Sequence, residues 1–204
     1  MRSDQLKPER TFIEQARRQQ LVTATIDQLP EAGYAGTTLA AVAARAGVSK
    51  AAVLYHFTGG KDELVGEVVS AVTGGATAAM TAQIAAEPTV PGKLRAYITS
   101  NVGFLAAHRH EILALLAIFN GSGPRPDGSS LWEPISERIV AELAGLLRAG
   151  QEAGAFGAFS PVVVARCVRG AIDALEPVLR HHPEADLDAY AAELVAIFEK
   201  VVAP

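Results

Sequence analysis

Cys167 is the one cysteine in 204 residues, so no intrachain disulfide staples the chain and no thiolate cluster is available to hold zinc. Aromatic residues are scarce at 6% and charged ones make up 20%, against 50% hydrophobic. A chain of this length with that apolar share buries a sizeable core. Its richness in Ala, Leu, Val and Glu, with so few aromatics, favours helix over sheet. No uninterrupted apolar run reaches the length of a membrane span, and the opening MRSDQLKPER lacks the apolar stretch of a signal peptide. The expectation is therefore a cytoplasmic protein without a membrane partner.

Signatures of catalysis are also missing. There is no phosphate-binding glycine loop, no nucleophile elbow and no metal-ligand spacing, so no catalytic residue, cofactor or metal is assigned. His108 and His110 stand beside Glu111, but residues two apart on a helix do not share a face and do not chelate as an i, i+4 pair does. Cys167 reads as a small core residue within an apolar helix. His181 and His182 complement the dipole at a helix end.

Charge is uneven. Residues 1–65 carry 8 basic and 7 acidic side chains and the remainder 10 and 15, an acidic body with a head that is not acidic. Nucleic-acid binding follows local charge and not the total of −4, so this balance excludes a wholly basic binder while leaving a local one open.

The punctuation of the chain predicts helices throughout. Arg2, Lys7 and Arg10 form a loose basic arm, and Pro8 suits a first helical turn. Helix spacing runs from Thr11 to Leu29, fading at Pro30 and ending by Gly33. Thr38 caps a short helix starting at Leu39, Gly47 breaks it, and Ser49 caps a third helix from Lys50 to about Phe57. Two short helices about a glycine turn make a helix-turn-helix pattern. Lys61 opens a longer helix in which Gly74-Gly75 marks a kink or soft point, and which Pro88 and Pro91 end. Further helices are expected over 93–108, 110–120, 131–153, 161–181 and 186–202, with GSGPRPDGSS as a loop. The last two have more apolar surface than one neighbour needs.

Residues 21–64 resemble the tetracycline-repressor (TetR) family of bacterial regulators. The residues that carry the likeness are Leu21-Val22, Ala24, Gly33-Tyr34, Thr37-Thr38, Ala43, Ala46-Gly47-Val48-Ser49-Lys50, Phe57, Gly59-Gly60-Lys61 and Glu63-Leu64, several spacings agreeing together. The resemblance implies an all-α protein with an N-terminal three-helix helix-turn-helix DNA-binding domain, residues 1–64, and a C-terminal helical effector-binding and dimerisation domain, residues 65–204. It further implies a repressor that a small molecule releases from a palindromic double-stranded DNA operator by tilting the linking helix, and a homodimer through residues 161–202. Two-fold symmetry of such a dimer matches two-fold half-sites.

In a helix-turn-helix the N-terminal residues of the reading helix meet base edges and phosphates, here Ser49, Lys50, Ala51 and Ala52, with Thr38, Tyr55, His56 and Lys61 around them. Lys50 can donate to guanine or phosphate and Ala52 can touch a thymine methyl. Val48, Val53 and Phe57 are assigned to the core. Ala40, Ala52 and Leu54 replace residues that in the family are more often polar contacts, which leaves fewer side chains for reading bases and more weight on DNA shape. A lysine in the first turn opposes the helix dipole, whereas a phosphate there is welcome, so Lys61 is expected to meet one. In the body, Tyr97, Asn101, Phe104, His108, Phe119 and Trp132 are the candidate ligand-binding set, apolar with a few polar anchors. The competing readings are a helical small-molecule-binding enzyme or carrier and a dimeric protein-interaction module.

Overall fold

The computed structural model describes residues 12–123, 128 and 130–204. The basic arm of Arg2, Lys7 and Arg10 and most of the GPRPDGS loop lie outside them. The described residues form ten α-helices and no strand: α1 (Phe12–Gly36), α2 (Leu39–Arg45), α3 (Lys50–His56), α4 (Gly60–Ala86), α5 (Val90–Ala107), α6 (Arg109–Gly121), α7 (Glu133–Glu152), α8 (Pro161–Asp173), α9 (Glu176–His181) and α10 (Leu187–Val202).

Side-chain caps set four of the helix starts. The hydroxyls of Thr38 and Ser49 accept the amides of Ala41 and Ala52, each at 3.1 Å, so α2 and α3 start where the sequence places them. Thr89 and Asp186 do the same for α5 and α10. Gly47 turns the chain between α2 and α3 with φ 66°, a left-handed value that costs glycine little.

Prolines account for three departures from expectation. Helical geometry continues through Pro30 until Gly33, at φ 66° and ψ 176°, breaks it; one lost backbone hydrogen bond near a helix end is tolerated. Pro91 does not terminate a helix but lies in the first turn of α5, where its missing N–H would have no partner anyway. The helix expected over 161–181 is two, because Pro177 cannot donate to the Asp173 carbonyl and its ring crowds it; α8 ends at Asp173 and α9 begins at Glu176.

Two apolar clusters organise the packing. One joins Leu21, Leu29, Val42, Val53, Phe57, Leu64 and Val68 with Ala114 and Ile118 of α6; the other joins Ile98, Leu143, Leu147, Val168, Ile172 and Phe198 across α5, α7, α8 and α10. Helix α6 thus packs into the core of the N-terminal helices, although it follows them by some fifty residues. The helix pair α5 and α6 is bent by 93°.

Helix α4 passes through Gly74-Gly75 without a break. Its most apolar 18 residues reach a mean hydropathy of 1.3 and only 11% of them are buried, so by length and composition it could cross a bilayer. Reading uninterrupted apolar runs missed this, because the apolarity is made of alanines and valines interspersed with glycines and threonines. Cys167 is exposed on α8, not in the core as its apolar surroundings suggest.

At the join of α6 and α1, a Cβ on Gly121 would lie 2.4 Å from Tyr34 Cβ. Gly121→Ala is expected to destabilise the protein by about 1–3 kcal/mol, the usual range for overpacking, read as a lower midpoint in urea unfolding with the slope unchanged.

Candidate nucleic-acid interface and interior cavity

The exposed side of α3 is built from its own periodicity. Val53 and, just beyond the helix, Phe57 are buried at 0% exposure, which turns Lys50, Ala51, Leu54 and Tyr55 outward. Tyr55 is 70% exposed and its ring meets His56 edge-on at 5.0 Å. Thr38, Ser49 and Ala40 are also exposed, while Ala52 and His56 are half-buried. Thr38 and Ser49 spend their hydroxyl oxygens on capping but keep their O–H donors.

Arg18 holds this helix in place. It is 6% exposed, stacks its guanidinium 4.0 Å over the Phe57 ring, donates to the His56 carbonyl, and reaches Glu67 at 2.9 Å and Glu63 at 3.4 Å. One side chain from α1 therefore satisfies the C-terminus of α3 and clamps α4 to it. Its position one turn before Leu21 and Val22, on the buried stripe of α1, is the sequence signal that marks it. The sequence reading passed over it.

Lys61, expected to meet a phosphate, is engaged within the protein. Its ammonium donates to the Tyr34 carbonyl and sits 3.8 Å over the Tyr34 ring. Burial lowers its pKa, with Asp62 opposing the shift. Burial first, and Asp62 second, raise that of Tyr34. The first turn of α4 already has Asp62 and Glu63 to meet its dipole, and Glu63 accepts the Gly59 amide at 2.9 Å. Lys61 joins α4 to the end of α1; to reach a phosphate it must give up the Tyr34 carbonyl.

Between α4, α5, α6, α7 and α8 lies a cavity of about 730 Å³. Of the six candidate residues, Tyr97, Asn101, Phe104 and Trp132 line it. His108 and Phe119 do not: His108 stacks on Phe104 at 4.1 Å, and Phe119 packs on Trp132 at 4.9 Å from within the N-terminal core. The sequence reading missed the charged lining, Arg138, Glu142 and Arg169. Arg169 lies on the buried α8 stripe with Ala165, Val168 and Ile172, the same signal as Arg18. Its guanidinium bonds Asn101 Oδ1 at 2.9 Å and Asp173 at 2.6 Å. His110 lies away from the cavity, 3.2 Å from Asp27 of α1.

Two short capped helices about a positive-φ glycine, seated on α1 and α4, define a helix-turn-helix protein of all-helical build. The family described as bacterial regulatory proteins, tetR family, matches residues 21–68. An HTH-type transcriptional regulator BetI of Burkholderia mallei is 39% identical over 90 residues, 44% of this chain and 46% of that protein. The BetI of Burkholderia thailandensis is 31% identical over 132 residues, 64% of this chain and 67% of that protein. The protein belongs to the TetR family, although it spans only about half the length of several of these curated relatives. AibR, whose crystal structure is a complex with isovaleryl coenzyme A and operator DNA, shares the fold at a TM-score of 0.74 with 14% identity, covering 89% of this chain and 97% of AibR.

Replacing Arg18 with Ala is expected to cost about 2 kcal/mol, several hydrogen bonds to a charged group discounted for the partial exposure of Glu63 and Glu67. Arg18→Lys recovers little of it, since an ammonium cannot reproduce the planar fork. Guanidinium-chloride unfolding of the two variants beside the parent measures both.

Proposed function

We propose that the protein is a homodimeric transcriptional regulator that binds a palindromic DNA operator and is released from it by a small molecule, acting as a repressor. Residues 1–64 form the DNA-binding domain in this reading and residues 65–204 the effector-binding and dimerisation domain. The single observation that carries it is the exposed row of Lys50, Ala51 and Tyr55 on a helix that Arg18 fixes from behind. A rigid helix with an outward cation and phenol suits a major groove, Lys50 at a base edge or phosphate, and Ser49, Thr38, Tyr55 and His56 around it. Ala51 and Ala52 supply methyl contacts. Lys61 serves the joint between α4 and α1 until a phosphate draws it out.

The dimer reading is supported by exposed apolar residues on the last helices: Val162 at 44%, Val163 at 59%, Ile197 at 50% and Val201 at 49%. Exposed apolar residues of this kind on α8 and α10 are covered in an isologous contact, where the same surface serves both copies. The effector reading is supported by the cavity, which meets the head along a shared wall. Ile112 and Leu115 of α6 line the cavity, while Ala114 and Ile118 of the same helix lie in the N-terminal core. AibR's structure with both an acyl coenzyme A and operator DNA is a precedent for two ligands on this fold.

Selection of genomic fragments by the purified protein, at fixed salt, should return a palindrome; an unenriched pool would sink the reading. On the recovered operator, Lys50→Ala should weaken binding by about tenfold or more and flatten the salt dependence by about one phosphate contact. Ile197→Asp should yield a monomer by light scattering and lose most operator affinity.

A further inference from the structure

The polar groups of the cavity are unequally committed. Tyr97 presents a buried hydroxyl without a hydrogen-bond partner, an arrangement that ordinarily costs stability and calls for an explanation. Burial is the main reason its pKa is raised, against the nearby positive charge of Arg169, so the phenol stays neutral and offers an O–H. Arg169 has five N–H donors. It directs Nε–H and one Nη2–H to Asp173 at 3.1 and 2.6 Å, and one Nη1–H to Asn101 at 2.9 Å, and it also acts on the Tyr97 phenol oxygen, which leaves the phenol's own O–H as the open donor. Asn101 is used on both sides, since its amide also donates to the Tyr97 carbonyl at 2.7 Å. On the opposite wall Thr73 and Thr77 donate to carbonyls of their own helix. The free capacity at the Tyr97 end consists of donors.

Charge in the lining is balanced. Asp173 pairs with Arg169, while Arg138 and Glu142 of the lining both lie on the exposed side of α7. An anionic ligand would have to compete with Asp173 for Arg169. A cationic one would face donors at the Tyr97 end, where the carboxylate of the lining, Glu142, is an exposed group of α7. Apart from the hydroxyls of Ser70 and Thr81, the rest of the lining, including Met80, Ile84, Phe104, Leu105 and Ile135, is apolar.

We infer that the cavity takes an uncharged, largely apolar compound whose accepting oxygen, the carbonyl of an ester or ketone, docks on the Tyr97 hydroxyl and the Arg169 guanidinium. This ligand class rests on the reading of the cavity as the effector site. The carbonyl oxygen fills the unmet bond of Tyr97, and the hydrocarbon covers the wall between α4 and α6.

Calorimetric titration of the full-length protein with methyl decanoate, decanoate and decyltrimethylammonium, each below its aggregation concentration, tests the class. The ester should bind at least tenfold more tightly than either charged probe. Tyr97→Phe should weaken the ester by about three- to tenfold, the worth of one hydrogen bond, while leaving the melting temperature of the unliganded protein within a few degrees of the parent, because the phenol O–H has no acceptor there. Tighter binding of the acid or the ammonium, no ester binding, or an ester affinity that ignores Tyr97→Phe would overturn it. Operator affinity at saturating ester separates the two readings. Ester binding without operator release keeps the ligand class and removes ligand response; release by a charged probe alone does the reverse.

Discussion

A buried guanidinium governs the geometry of the N-terminal helices. Arg18 lies between α1, α3 and α4, with the Phe57 ring beneath it and the His56 carbonyl at its tip. A charge so placed is tolerable because carboxylates and a carbonyl receive it. It is also demanding, since its Nε remains without a partner. Helix α3 has only seven residues and too few internal hydrogen bonds to persist alone. Its orientation is borrowed from α1 through this contact and through Val53 and Phe57. The outward direction of Lys50 and Tyr55 follows from that inward anchoring.

The second organising fact is that α6 belongs to two environments. Its Ala114 and Ile118 pack with the N-terminal core, and its Ile112 and Leu115 face the cavity. At the far end Gly121 lets Tyr34 approach, and Tyr34 in turn holds Lys61. A side chain entering the cavity and the start of α4 are thus linked through closely packed groups, with Asp27 and His110 adding a polar tie between α1 and α6. Packed groups of this kind move together or not at all.

Much of this was legible in the sequence, for reasons that differ by element. The caps of α2 and α3 depend on local chemistry at Thr38, Ser49 and Gly47, so residue type alone located them. The four cavity residues recognised, Tyr97, Asn101, Phe104 and Trp132, are large or polar groups on helices of the right order. What escaped notice was set by three-dimensional neighbours. Arg18 and Arg169 look like surface cations until Glu63 and Asn101, 45 and 68 residues away along the chain, are brought beside them. Lys61 reads as a phosphate partner at the start of its own helix, and its contact with the carbonyl of Tyr34, 27 residues away, is set by the packing of α4 on α1. The division of 161–181 was readable from Pro177, whose consequence was overlooked because the apolar pattern runs straight through it.

Helix α4 is a single rod shared by head and cavity. From Leu64, in the N-terminal core, to Ile84, at the cavity wall, its length is about 30 Å at 1.5 Å per residue. A tilt of about 10° at one end of such a rod displaces the other by about 5 Å. Gly74 and Gly75 lie near its midpoint. In a rod so continuous, two adjacent glycines are the place where a tilt is either carried through or lost as bending, because they resist bending least.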